Sequence, residues 1–430
     1  MERNIMQNLV QWRGREDRKP LILLGARQVG KTYILKEFGK RYYKQTAYIN
    51  CDDNELVKGL FEHDYNMERI LLTIGSITNV RIEPENTLII LDEIQELKRG
   101  LNALKYFCEN APEYHVAVAG SLLGITLHQG ESYPVGKVNT LEMHPMSFEE
   151  FLDAKGLSQM VEMLQQKRWD VINSVSSRYI QLLREYYFVG GMPEAVLKYL
   201  KTNDAVQVRE VQNEILFAYD KDISKHAPAN EAVRINMVWN SIPSQLAKEN
   251  KKFIYGAIRK GARAKEFEIA IQWLLDAGLV IKVDRVTKPA LPLNFFCDYS
   301  SFKLYMLDCG LLGAKSGMSA SAMLVPNAMT ESKGSFTENF VCTQLINLAN
   351  IHLSYYSKEN SSQEVDFVVQ REDHIYALEV KAEMNLQSKS LKSFHAEHAD
   401  VKCVRTSMAD FKEQDWMTNV PLFALINYLT

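Results

Sequence analysis

A chain of 430 residues is about three domains' worth at roughly 150 residues each. Fifty Lys and Arg against 53 Asp and Glu leave a net charge of −3, which excludes a histone-like polycation but not a basic groove on one domain. At 46% hydrophobic and 24% charged residues, with 21 Gly and 12 Pro, wholesale disorder and fibrous or low-complexity folds are excluded.

Residues 1–20 have no apolar core between a basic start and a small-residue cleavage site, so no signal peptide is expected. No run approaches the ~20 apolar residues that cross a bilayer. Cys51, Cys108, Cys297, Cys309, Cys342 and Cys403 form no CxxC pair, and read as reduced thiols rather than a zinc site. The expected compartment is the cytoplasm, with no membrane partner.

Short apolar runs at residues 21–25 (LILLG), 47–53 (AYINCDD), 87–95 (TLIILDEIQ), 115–121 (HVAVAGS) and 137–147 (KVNTLEMHPMS) read as five strands. Amphipathic stretches such as TYILKEFGKRY and GLNALKYFCEN separate several of them. Strands joined by helices predict a parallel sheet buried on both faces. From residue 148 the pattern turns helical, with Ser147 as N-cap and Glu150 in capping-box position. REYYFVGGMPEAVLKYL breaks at Gly190-Gly191 and restarts after Pro193. KEFEIAIQWLLDAGLV predicts a helix closed by Gly278, followed by strands in LVIKVDRV and NFFCDYSSFKLYMLD. Helices followed by a β-hairpin form a winged-helix pattern. Residues 316–330 read as a linker, and the last hundred residues mix helix and strand.

The sequence GARQVGKT (residues 25–32) follows the first strand and opens a helix, the setting that a phosphate loop requires. Its glycines let backbone N–H groups nest around a phosphate, and the helix N-terminus adds positive potential. Lys31 would reach the β- and γ-phosphates, and Thr32 would offer its hydroxyl to Mg²⁺. Gly25, Gln28, Val29, Gly30, Lys31, Thr32 and Tyr33 form the expected nucleotide site with Asp92. Asp92 ends an apolar strand, where a carboxylate can hold the Mg²⁺ shell. Glu93 is placed to deprotonate an attacking water. An extra strand between the two motifs and the Asp-Glu pair favour hydrolysis over phosphoryl transfer of the kinase type. Ser121 is expected either to sense the γ-phosphate or to cap a helix, and Arg27 either to touch phosphate or to lie in solvent. The expected ligands are ATP and Mg²⁺.

By these residues the N-terminal two-thirds resembles the AAA-like bacterial and archaeal ATPases that carry a GARQVGKT loop. Their fifth strand runs through a stretch like YPVGRVxxLxxxPMSFxEF; here it reads YPVGKVNTLEMHPMSFEEF. Lys137 stands at the family's usual Arg. If that Arg is a finger on a neighbour's nucleotide, a lysine cannot reproduce its bidentate contact. The resemblance implies that the turn at residues 190–193 belongs to a helical lid over adenine and ribose.

In the C-terminal part, residues 335–346 read as a helix with Glu338 in an apolar stripe of Val341, Cys342 and Leu345. A carboxylate there needs a functional partner or a buried ion partner. EVDFVV (364–369) and IYALEVK (375–381) read as a hairpin. If the turn centres on Glu372-Asp373, Asp366 lies opposite Glu379, with Lys381 on the same face as Glu379. Opposed carboxylates invite a cation, and Asp366, Glu379 and Lys381 would make a Mg²⁺ site. This resembles the PD-(D/E)xK nuclease superfamily in its variant with a helix-borne acid: Glu338 matches the helix acid, Asp366 the first core acid, and Glu379 and Lys381 the ExK pair. Val365 stands where the name has Pro. A core kept only for DNA or protein binding is the alternative to a cutting enzyme.

The expected fold is therefore α/β: a P-loop ATPase core (1–147), a helical lid (148–229), a winged-helix unit (230–315) and a restriction-endonuclease-like domain (316–430). Lys251, Lys252, Arg259, Lys260, Arg263 and Lys265, interleaved with Phe253, Tyr255 and Phe267, suit either a phosphate backbone or a solvated face. The reading is an ATPase coupled to a nuclease-like, DNA-associated domain. Its alternative is a nucleotide-gated switch with negligible hydrolysis and an inactive nuclease-like domain. Oligomeric state is not set by the sequence.

Overall fold

The computed structural model describes residues 1–52, 55–121, 123–128, 134–248, 250–320, 324, 333–358, 363–383 and 387–430. Most of the expected linker at 316–330 lies outside them. The chain divides into two compact units, Met1–His144 with Asp276–Leu279, and Pro145–Leu275 with Val280–Thr430. Together they are a mixed α/β protein with two sheets. No described helix is long and apolar enough to cross a membrane.

The first unit is built on five strands: β1 (Leu21–Leu24), β2 (Gln45–Asn50), β3 (Thr87–Asp92), β4 (His115–Ala119) and β5 (Asn139–Glu142). Every pairing is parallel, in the order β2-β3-β4-β1-β5. β3 and β4 are buried along their whole length, as a sheet covered on both faces requires. One face packs Ile49, Ile89, Leu91, Val116 and Val118 against Ile70 and Ile74 of helix Met67–Thr78 and Leu104 and Phe107 of helix Gly100–Asn110. Each such side chain contributes about 1.5–3 kcal/mol on burial. Because β4 inserts between β1 and β3, the ends of all three strands open side by side.

The second unit carries an eight-stranded sheet, in the order β12-β13-β11-β10-β9-β8-β6-β7. Its strands are β6 (Val280–Val286), β7 (Cys297–Met306), β8 (Ile351–Ser357), β9 (Glu364–Arg371), β10 (His374–Val380), β11 (Lys402–Ser407), β12 (Lys412–Glu413) and β13 (Thr418–Pro421). The β6–β7 hairpin, grouped by sequence with the helices before it, continues this sheet through parallel pairing of β6 with β8. The β9–β10 hairpin turns at Glu372 and Asp373, with Arg371 opposite His374 and Phe367 opposite Leu378. The register of β9 against β8 shifts by one between Ser354 and Tyr356. Val365 and Val368 consequently share one core. That bulge breaks the strict alternation assumed for Asp366.

The capping box at Ser147 and Glu150 forms, with both reciprocal bonds present (3.2 and 2.9 Å). The turn at residues 190–193 separates helices Ser176–Val189 and Pro193–Thr202. There the Gly191 amide donates to Asp308 Oδ2 (2.6 Å), and the Gly191 carbonyl accepts from the Met146 amide (2.7 Å). Asp308 is buried, and burial raises its carboxyl to about 6 against the opposing amide hydrogen bonds.

Candidate functional site

Gly25 leaves β1 at φ 135°, and a Cβ on it would meet the Met143 carbonyl at 2.2 Å. No residue but glycine fits both demands. Gln28 (φ 66°) and Gly30 (φ 100°) complete the left-handed turns of the loop, and helix Lys31–Tyr42 starts at Lys31. Val29 is buried, and its carbonyl accepts from Arg3 Nη1 (2.9 Å), while Arg3 Nη2 donates to the His144 carbonyl (2.6 Å). Tyr33 and Arg27 are exposed. Lys31 folds back over the loop, donating to the carbonyls of Gly25 (2.7 Å) and Ala26 (2.8 Å). Burial pushes its ammonium down to about 8, with Glu93 and Asp92 opposing the shift.

The two motifs meet. Thr32 Oγ1 donates to Asp92 Oδ2 at 2.6 Å. Tyr48 on β2 donates to the same oxygen (3.2 Å), beneath the Lys36 ammonium 3.5 Å from its ring centroid. A hydroxyl and a buried carboxylate side by side are the hard oxygen donors that Mg²⁺ takes, so these residues fit that ion.

Glu93 follows β3 with φ 53°. Its Oε2 accepts from the Ser121 amide (3.0 Å), the Ser121 hydroxyl (3.0 Å) and Gln95 Nε2 (2.6 Å). Ser121 leaves the end of β4, so the insertion of that strand brings it to Glu93. Gly120 makes room for Gln95, since a Cβ there would lie 2.1 Å from Gln95 Oε1. Tyr48, Gln95 and Arg3 were not singled out from sequence. Of these only Gln95, two residues after Glu93, sits near a recognisable motif. Lys137 pairs with Glu109 at 2.9 Å.

In the second unit, every residue from 335 to 345 on helix Lys333–Leu345 is buried. Glu338 Oε1 pairs with Lys251 Nζ (2.6 Å), and its Oε2 accepts from Tyr305 Oη (3.1 Å). Lys303 on β7, 1% exposed at its side chain, lies 2.6 Å from Glu364 Oε1 and 3.9 Å from Glu338 Oε2. Asp366 Oδ2 accepts from the Val380 amide at 2.7 Å. Burial, then the Glu338 charge, raise its carboxyl to about 7, with Lys303 opposing. Glu379 pairs with Lys381 at 3.1 Å. The Glu379 charge is felt by Cys403 and Arg405 of β11. The structure thus joins Glu338 to Asp366, and joins Glu379 to Lys381 as a separate pair.

Among the described residues, no three His, Cys, Asp or Glu side chains are grouped to hold a metal ion. Lysines stand 2.6 Å from both Glu338 and Glu364, and Glu379 is paired with Lys381. All six cysteines are free.

The family described as "AAA domain" matches residues 17–152. A domain of unknown function (DUF8612) matches residues 180–322, and another (DUF4143) residues 333–425. No curated protein matches the chain. Similar solved structures include the Walker-type ATPase PABY2304 of Pyrococcus abyssi, at 15% identity over 73% of this chain and 95% of that one, with a TM-score of 0.43. The Aeropyrum pernix ORC1 protein in complex with DNA is 14% identical over 74% of this chain and 93% of that one, with a TM-score of 0.28. The S. cerevisiae Hsp104–ADP complex is 12% identical over 63% and 37%, with a TM-score of 0.25. The AAA match spans the phosphate loop, the acids ending β3, and Ser121. Residues 17–152 therefore match the AAA domain over the segment that carries the P-loop.

Proposed function

We propose that this domain binds ATP with Mg²⁺ and hydrolyses it, and that its nucleotide state controls the helical and C-terminal parts of the chain. The observation that carries the reading is the 2.6 Å contact of Thr32 with Asp92 beside Lys31 and Glu93. Mg²⁺, held by Thr32 and Asp92, would neutralise phosphate charge. Lys31 must exchange the Gly25 and Ala26 carbonyls for phosphate oxygens, gaining charge-assisted bonds. The loop amides orient the triphosphate. Ser121 and Gln95 fix one oxygen of Glu93, leaving Oε1 to take the proton of the attacking water. Calorimetry tests binding: Lys31→Ala should abolish ATP affinity, and a variant that keeps wild-type affinity sinks the site.

One observation favours a second reading, a switch with negligible turnover. Glu93 Oε2 already accepts three donors, which take that oxygen away from an attacking water. A single-turnover burst without steady-state phosphate release would support the switch.

For the remainder we propose a helical segment over 148–229, winged-helix-like helices from residue 230, and a nuclease-like frame on the eight-stranded sheet that also takes in β6 and β7; of the two readings left open by the sequence, we favour DNA binding without cutting. Lys252, Arg259, Lys260, Arg263 and Lys265 are exposed, which supports a phosphate-tracking face, although Arg259 is paired with Glu266. Reversing Lys260, Arg263 and Lys265 to Glu should weaken duplex binding and lower its salt dependence by roughly one unit for each phosphate no longer neutralised. Unchanged binding rejects this face. Plasmid cleavage in Mg²⁺ or Mn²⁺ that Asp366→Ala removes would reject the non-cutting reading.

A further inference from the structure

Glu338 and Glu364 already hold cations of their own. Lys303 lies in the run FKLYML at the C-terminal end of β7, where it is the one charged residue. Its neighbours Phe302 and Leu304 are buried, and strand pairing with Val283 fixes its backbone. The stem therefore cannot swing the charge out to water. Its Nζ lies 2.6 Å from Glu364, 3.9 Å from Glu338 and 4.9 Å from the centre of the Tyr355 ring. Lys251 closes the other oxygen of Glu338 at 2.6 Å, and Tyr305 bonds the oxygen that faces Lys303.

We propose that Lys303 is the resident cation of the C-terminal acid cluster, seated among Glu338, Glu364 and Asp366, and that with Lys251 it closes the cluster to divalent metal. Two ammonium groups face three carboxylates. The third, Asp366, is raised to about 7, so near neutral pH the cluster balances without another cation. A divalent ion entering here would meet the buried Lys303 charge, and it would have to displace Lys251 from Glu338 and Lys303 from Glu364. Mg²⁺ needs near-octahedral oxygen ligands at about 2.0–2.1 Å, and the two ammonium groups occupy that space. The structural job of the cluster is to tie helix Lys333–Leu345 to β7 and β9 through charge. This inference bears on the non-cutting reading above without needing ATP hydrolysis. A chain that cuts DNA yet binds no metal at these acids would sink that reading and leave this one standing.

The test uses the full-length chain soaked with Mn²⁺, located by anomalous scattering. Wild type should show no Mn²⁺ peak among Glu338, Glu364 and Asp366 at saturating metal. Removing the ammonium with Lys303→Met should create a Mn²⁺ site there, counted in solution by electron paramagnetic resonance as one extra bound ion per chain and lost again in Lys303→Met/Asp366→Asn. A Mn²⁺ peak in wild type overturns the proposal, and so does a folded Lys303→Met chain that gains no ion. If Lys303→Met does not fold, the wild-type map decides alone: a peak overturns the proposal and its absence at saturating metal upholds it.

Discussion

Glu93 shows how much of the chemistry rests on single hydrogen bonds. Gln95 supplies the shortest of its three donors, at 2.6 Å, and so fixes where the carboxylate stands against the attacking water. Replacing Gln95 with Leu should therefore lower kcat about tenfold or more, with ATP affinity unchanged. An unchanged kcat would show that Gln95 only fills space. Lys31 gives a pH dependence. Its value falls from 10.5 in the unfolded chain to about 8. Between those values the folded chain binds fewer protons than the unfolded one, so stability rises with pH across that window and the burial penalty is complete below it. Bound phosphates favour the ammonium, so ATP binding should take up a proton above about pH 8 and weaken as pH rises further. Lys31→Arg should abolish the proton uptake, as calorimetry in buffers of different ionisation enthalpy would show; identical uptake in both proteins contradicts the assignment. Sequence made Lys31, Thr32, Asp92 and Glu93 legible because they sit in short motifs. Arg3 and Tyr48 were not, because their partners lie 26 and 44 residues away.

At the scale of elements, the five strands of the first sheet stand where the apolar runs put them, with shorter ends. β5 is only Asn139–Glu142 inside a longer expected run. Buried parallel strands leave the plainest mark a sequence carries. The C-terminal hairpin was legible in its turn and its pairing count, but not in the bulge of β9, since one extra residue has no compositional signal. That bulge turns Asp366 toward Glu338. Helix Lys333–Leu345 is buried on every side, so its stripe reading caught Glu338 but not the enclosure. The turn at residues 190–193 was expected to break a helix. The structure adds its reason, Asp308, 117 residues away. A Cβ on Gly191 would lie 2.1 Å from the Met146 carbonyl. Gly191→Ala should therefore destabilise the second unit by about 2 kcal/mol or more in denaturant melts. A change within experimental error would mean that this approach relaxes freely.

Across the whole molecule, local pattern marked out the nucleotide-binding fold, while sheet membership in the second unit was beyond it. Pairing of β6 with β8 joins segments about seventy residues apart, and only tertiary packing specifies such pairings. A fragment ending at residue 315 would keep β6 and β7 but lack β8 to β13 of the same sheet. It should show exposed apolar surface and a missing second unfolding transition. A soluble, cooperatively folded 1–315 chain would instead make the hairpin an independent module. The central claim is that Glu93 turns over ATP held by the phosphate loop. Steady-state phosphate release at saturating Mg-ATP, measured for wild type and Glu93→Gln, tests it most directly. The account predicts turnover in wild type and a loss on the order of a hundred- to ten-thousand-fold in the variant; equal rates in the two proteins would contradict it.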